Sequence, residues 1–259
     1  MALSDSHVHL HAFADPDGVL ARARAAGVNL VVGVGIDLPS SRRTLAIARA
    51  EPGVVAAVGL HPAHLTEASD LDQTLGEIEA IAGEPRVGFV GEIGIDLVEG
   101  AATLERQSEF FEAQLRLAGR LRLPVNLHIQ GAFDEAFAII RRLGAGGPGA
   151  VVHYFVGDAE LARRALELGL YVSVGKPVTR PANAQLRQAV ATIPLERLLL
   201  ETDSYPLPGR TTEPADIRLV AEAVAGIRRI PVAEVAEATT NTLIRLLGER
   251  AVALRPARE

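Results

Sequence analysis

Alternation is the feature that most limits what this chain can become. Eight short apolar or β-branched runs are separated by longer Ala-, Leu-, Arg- and Glu-rich segments of helical period. The runs are Leu3–His9, Asn29–Ile36, Val54–Leu60, Val87–Ile93, Val125–Ile129, Ala150–Phe155, Leu170–Val174 and Leu198–Thr202. The intervening period predicts helices over Pro16–Ala26, Ser40–Ala50, Leu71–Ala82, Ala101–Leu121, Ala132–Leu143, Ala159–Leu168 and Asn183–Thr192. Two more, Pro214–Arg228 and Val232–Leu247, follow the last run. Gly27, Gly83, Gly144 and Gly169 fall near predicted helix C-termini, where glycine commonly ends a helix. Eight such strands in 259 residues predict an α/β fold, a (β/α)8 TIM barrel over about residues 3–248 of a single domain, 1–259. A doubly wound open sheet is the alternative. It usually has fewer strands and a glycine-rich first turn, whereas the first turn here reads H-L-H-A-F-A-D-P.

In a barrel of this kind, reactive side chains sit at the carboxyl ends of the strands. The first predicted strand ends in His7 and His9, with His11 just beyond. The third gives His61 and His64, the fourth Glu92 and then Asp96, the fifth His128, the sixth His153 and the eighth Asp203. All seven histidines of the chain lie at or just past a predicted strand end. His7 and His9, two apart in an extended strand, leave the backbone on one face. A lone histidine in an apolar strand is usually a hydrogen-bonded core residue. Several of them meeting in one mouth would leave desolvated, partly charged rings facing each other, which is costly without a cation.

The set His7, His9, Glu92, His128, His153 and Asp203 is nitrogen plus carboxylate, without sulfur. That chemistry suits one or two divalent metal ions, Zn, Mn, Fe or Ni, with Mg at a more oxygen-rich position. Six ligands exceed one tetrahedral site, and a pair of ions about 3.5–4 Å apart fits better. Glu92 is then the bridge, with His7, His9 and Asp203 on one ion and His128 and His153 on the other. Such a pair activates water, and Asp203 is placed to accept its proton. Catalytic roles therefore fall to Asp203 and Glu92, and the reaction class is metal-assisted hydrolysis.

Composition removes competing chemistries. The chain has no cysteine, which excludes disulfides, thiolate zinc sites and a cysteine nucleophile. It carries neither a G-x-S-x-G elbow nor a dinucleotide fingerprint. No apolar run approaches ~20 residues and no signal-like N-terminus is present, so the expected location is cytoplasmic, with no membrane contact. A formal charge of −6 argues against tight non-specific binding of nucleic acid, although a small basic mouth remains compatible with it. The expected partners are DNA ends, short oligonucleotides or a small anionic substrate, met by a monomer.

The motifs D-S-H-V-H-L, V-G-L-H-P, G-E-I-G-I-D, the histidine after P-V-N-L, H-Y-F and L-L-E-T-D-S, in this order, resemble those of the TatD family of metal-dependent hydrolases, which are amidohydrolase-type barrels. The resemblance runs from about Ser4 to Gly248 and includes the C-terminal A-T-T-N-T-L-I-R-L-L-G. It implies a (β/α)8 barrel, one or two divalent metals on the six ligands above, and deoxyribonuclease activity of the 3′-to-5′ exonuclease kind. It also implies that His61 lies near the substrate phosphate. Three stretches depart from the family pattern. H-I-Q-G-A puts Gln130 and Gly131 where an arginine and an aspartate are usual. V-G-K-P-V puts Lys176 and Pro177 after the seventh strand. Tyr205-Pro206 replaces the usual P-Y before a shortened loop that keeps Arg210. These changes flank the substrate and motivate a second reading, a barrel hydrolase of the same mechanism acting on another small ester, amide or lactone. A non-enzymatic protein with a purely structural metal is a third.

Lys176 is the single lysine among 26 basic residues, and with Arg210 it is a candidate substrate contact. Tyr205 and Phe155 are candidates to stack a base. Glu201 and Asp5 are expected to support ligands from behind. His11 and His64 are expected to face solvent or substrate.

Overall fold

The computed structural model describes residues 2–209 and 212–254. Its eight strands are β1 Leu3–Val8, β2 Val28–Val34, β3 Val54–Val58, β4 Val87–Asp96, β5 Val125–Gln130, β6 Ala150–Val152, β7 Tyr171–Val174 and β8 Leu198–Leu200. All are parallel and pair in sequence order. The helices are α1 Pro16–Ala25, α2 Leu38–Ala50, α3 Leu71–Ala82, α4 Leu104–Leu121, α5 Phe133–Leu143, α6 Ala159–Glu167, α7 Ala184–Thr192, α8 Ile217–Arg228 and α9 Val232–Leu247. This is the expected (β/α)8 barrel. It closes just past β8, where Asp203 N–H donates to the His7 carbonyl (3.0 Å), His9 N–H donates to the Ser204 carbonyl (3.0 Å), and Val8 bridges Ser204.

Local chemistry explains the helix starts. Asp15, Asp37, Asp70, Thr103 and Asp158 each accept a backbone N–H of the first turn from the N-cap position, which satisfies amides that the helix itself leaves unpaired. The cap at Thr103 starts α4 three residues later than the apolar period suggests.

Side-chain alternation divides the core in two. Leu30, Val32, Val34, Val55, Ala57, Phe89, Val151 and Leu199 pack together with Leu243, Leu246 and Leu247 of α9. This smaller cluster, with α9 packed against β1 and β8, plugs the amino end of the barrel. The other strand faces pack outward against the helices in a larger cluster. With one end filled, the chemistry is confined to the other. Among the described residues no helix is long and apolar enough to cross a membrane.

Two strand ends differ from expectation in ways that matter for the site. β4 runs three residues beyond Ile93, because Gly94, Ile95 and Asp96 pair with His128, Ile129 and Gln130. β6 stops at Val152, and Tyr154 adopts a left-handed backbone with φ of 45°.

The close approach of β4 and β5 depends on Gly94. Its φ is +153°, and a Cβ there would stand 1.8 Å from the His128 carbonyl oxygen. Gly94→Ala is therefore expected to destabilise the fold by about 3 kcal/mol or more, a drop of roughly 6–12 °C in Tm for a domain of this size. A thermal melt followed by circular dichroism checks this, and an unchanged Tm would refute the close approach.

Candidate metal centre

Seven side chains converge at the carboxyl end of the barrel. Glu92, on β4, is buried at their centre. Its Oε1 lies 2.7 Å from His153 Nε2, 2.8 Å from His128 Nδ1 and 3.5 Å from His61 Nε2. Its Oε2 lies 3.4 Å from His7 Nε2 and 3.9 Å from His9 Nε2. Asp203 Oδ1 approaches the same two rings, at 3.3 Å from His9 and 3.8 Å from His7. The two oxygens of one carboxylate thus face different groups of histidines. Three sets of donors lie within 4.8 Å of one another: His7, His153 and Asp203; His7, His9 and Glu92; and His61, Glu92 and His128.

The rings are held from behind. His7 Nδ1 meets Asn126 Oδ1 at 3.3 Å, and His9 Nδ1 meets the Val34 carbonyl at 3.3 Å. His153 Nδ1 lies 3.4 Å from Glu201, whose carboxylate also accepts the Tyr154 amide at 2.6 Å. His128 is turned the other way, with Nδ1 inward and Nε2 on Asp96 at 3.0 Å. A partner on one ring nitrogen fixes the orientation in which the other is presented. Glu201 stands behind the His153 ring as expected, within ion-pair distance of Nδ1 but without a hydrogen bond to it. Asp5 supports the His7 backbone rather than its ring, accepting His7 N–H at 3.2 Å and Thr202 N–H at 3.0 Å.

His61 is different in kind. Its Nδ1 accepts the Ala63 backbone N–H at 3.0 Å. In the neutral ring the proton must then sit on Nε2, which makes that atom a donor. Burial also lowers the His61 pKa and keeps the ring neutral.

Charge is strongly polarised within this cluster. Burial opposes ionisation of Glu92, but the surrounding His153, His7 and His61 rings hold its pKa well below the ordinary carboxylate range. Burial opposes Asp203 likewise, yet the His9 hydrogen bond and neighbouring imidazoles bring it to about 2. Asp96, despite desolvation, is lowered to about 2 by His128 and by the Glu99 and Val98 amides. Burial works against charge on His153, and Glu92 and Glu201 outweigh it, so that pKa is raised well above the usual imidazole value.

The cleft over the cluster has a volume of about 310 Å³, and His11, His64, Glu99 and Tyr205 contribute to its wall. His11 is tied to the Val34 carbonyl at 3.0 Å, and burial, then the charge of His9, lowers its pKa to about 4.

Two sequence-predicted contacts fall elsewhere. Lys176 does not enter the cleft, because its ammonium is engaged by Asp216 at 2.8 Å and Thr212 at 3.1 Å. Phe155 is buried in the core, and the left-handed turn at Tyr154 exposes Tyr154 instead. Arg210 lies outside the described residues. Asn126 and Asp96 were not anticipated as ring partners. Each had a signal: Asn126 is a polar interruption two residues before His128, and Asp96 shares strand parity with Glu92.

Asp5 offers a test of burial. It is inaccessible to solvent, and desolvation outweighs the hydrogen bonds from Thr202 and the His7 amide, so its pKa is raised well above 3.8. A carboxyl whose folded pKa is raised loses stability as pH climbs above its unfolded value. Asp5→Asn removes that titration. Its Tm is expected to gain on the wild type steadily as pH rises from about 4 to 8. Parallel melts across that range check it, and a constant difference would show that Asp5 carries no such penalty.

A closed parallel barrel that gathers imidazoles and carboxylates at its open end has the layout of a barrel metal hydrolase. Residues 4–248 match the family described as TatD related DNase, and the chain belongs to that family. It is similar to the uncharacterized metal-dependent hydrolase YcfH of Escherichia coli K12, 34% identical over 257 residues that cover 95% of this chain and 96% of that protein. It is also similar to the 3′-5′ ssDNA/RNA exonuclease TatD of Klebsiella pneumoniae, 36% identical over 225 residues, covering 83% and 84%. Among solved structures, YjjV, the TatD homologue of Escherichia coli K12, superposes with a TM-score of 0.85 at 33% identity, over 94% of this chain and 97% of that one.

Proposed function

We propose that the chain is a metal-dependent phosphodiesterase that shortens single-stranded DNA or RNA from the 3′ end. The observation that carries this reading is the division of Glu92, one oxygen toward His128 and His153 and the other toward His7 and His9. The donor set fits a divalent cation. His7 Nε2 is buried without a hydrogen-bond partner, a costly state for a ring nitrogen unless a ligand takes it up. His7, His9 and Asp203 would hold one ion, His128 and His153 a second, with Glu92 between them. The ions are drawn from Zn, Mn, Mg, Fe and Ni.

A bound divalent cation supplies Lewis-acid polarisation of the phosphoryl oxygen and acidification of a water molecule. The remaining work falls to the chain. Asp203, held ionised at neutral pH, accepts the proton of the attacking water at its carboxylate. His61, protonated on Nε2, donates a hydrogen bond to a non-bridging phosphate oxygen. The buried floor under Glu92 excludes bulk water from the reacting centre.

Purified protein incubated with 5′-labelled single-stranded DNA and Mg²⁺ or Mn²⁺ is expected to give a ladder shortening from the 3′ end, stopped by EDTA. An intact oligonucleotide, together with turnover of a carboxylic ester, would replace this reading with that of a small-ester hydrolase on the same site.

A further inference from the structure

A second cavity opens beside the metal centre. Its volume is about 460 Å³, larger than the cleft over the metal cluster. The two are separated by one step of the chain, for His153 lines the first and Tyr154 the second. The ring centroids of these two residues are 6.3 Å apart.

Tyr154 is built to present a ring. Its φ of 45° reverses the strand's alternation and sends the side chain outward, while Phe155 turns into the core. Its amide is anchored on Glu201 at 2.6 Å. Its ring rests against Gly175, where a Cβ would stand 3.6 Å from two ring carbons. The rest of the side chain stays open, with 38% of the residue exposed. Val156, also exposed, and Pro177 give the cavity apolar wall. Among the described residues Arg180 is the one charged side chain in the lining, with no carboxylate beside it there. In a chain of net charge −6, a guanidinium in such a lining offers an anion a partner. Gln185, exposed in the lining, adds an amide able to meet a base edge.

An aromatic face, an aliphatic wall and one guanidinium together match a nucleotide: a base to stack and a phosphate to pair. We propose that this cavity is the subsite for the penultimate nucleotide of a single strand whose 3′-terminal nucleotide occupies the metal cleft. Tyr154 stacks its base and Arg180 pairs its phosphate. The inference rests on the nuclease reading of the metal centre and specifies how that centre selects its substrate. Stacking on an exposed ring requires an unpaired base and tolerates any base, so the subsite favours single strands without strong sequence preference.

The test measures binding and catalysis separately. Fluorescence anisotropy of a labelled octathymidylate on EDTA-treated protein gives Kd without turnover. Steady-state rates on the same oligonucleotide and on bis(4-nitrophenyl) phosphate, with Mn²⁺, give the ratio of their kcat/KM values. Tyr154→Ala and Arg180→Ala are each expected to weaken Kd about tenfold and to lower that ratio about tenfold, chiefly through KM, with Tyr154→Phe restoring both. Arg180 is exposed, so its replacement reports on binding without burdening the fold. An unchanged Kd and ratio in both alanine variants, with wild-type cleavage intact, overturns the subsite and leaves the nuclease standing. A wild-type protein that neither binds nor cleaves the oligonucleotide overturns the nuclease reading and the subsite with it.

Discussion

Asp203→Asn is expected to lower kcat on single-stranded DNA by about 10³-fold or more, with the fold intact. The carboxylate lies 3.3 Å from His9 and 3.8 Å from His7, and its pKa of about 2 keeps it ionised across the working range. Asparagine preserves the shape but is neither anionic nor basic, so it can neither balance a cation nor take a proton. The backbone should tolerate the change. Asp203 has φ of 47°, a left-handed conformation in which aspartate and asparagine are both enriched. The hydrogen bond that its backbone N–H donates to the His7 carbonyl is also untouched. Initial rates, with circular dichroism to establish folding, decide the matter. A folded variant within tenfold of wild type would remove Asp203 from the chemistry.

Glu92→Gln is expected to be as damaging to activity and worse for metal retention. One carboxylate lies within 4 Å of five imidazoles, its two oxygens divided between the two groups of rings. The substitution removes the negative charge that lets desolvated rings sit together. Elemental analysis after dialysis should show less than half the wild-type metal content, and kcat should fall by about 10³-fold or more. Metal-free protein gives an independent check. Because the folded pKa of Glu92 is depressed, its stabilising contribution is present above the ordinary value of 4.5 and fades as pH falls toward the depressed value. Because Glu92 also raises the His153 pKa, its loss removes a further contribution, present below the ordinary imidazole value of 6.5 and fading as pH rises. The Tm deficit of the variant should therefore be largest between about pH 4.5 and 6.5 and shrink in stronger acid. A deficit that kept growing below pH 4.5 would contradict the role assigned to Glu92.

The barrel and the histidine cluster were legible in the sequence for one physical reason. Strand alternation and the rule that barrel chemistry sits at carboxyl ends are both local enough to read from order alone. His7, Glu92, His128, His153 and Asp203 needed nothing more. What escaped depends on chain geometry or on distant partners. Phe155 looked like the exposed aromatic until a left-handed residue at Tyr154 inverted the pattern, and no composition rule announces such a residue in tyrosine. Lys176 sits at the predicted strand end, but Asp216, forty residues later, captures its charge. The donor role of His61 follows from one backbone amide, a contact that sequence spacing cannot assign.

The seam between β1 and the segment after β8 has a consequence for the timing of assembly. His7 and His9 are synthesised before the rest of the cluster, and Asp203 follows nearly two hundred residues later. At translation rates of about 5–20 residues per second, roughly 10–40 s separate the two. Early in that interval the two histidines alone form a loose bidentate site, from which a captured ion exchanges freely. Only when the last strand docks against the first do Asp203 and a closed, fixed geometry complete the set. The finished barrel, rather than the first ion encountered by the nascent chain, therefore decides which metal is kept.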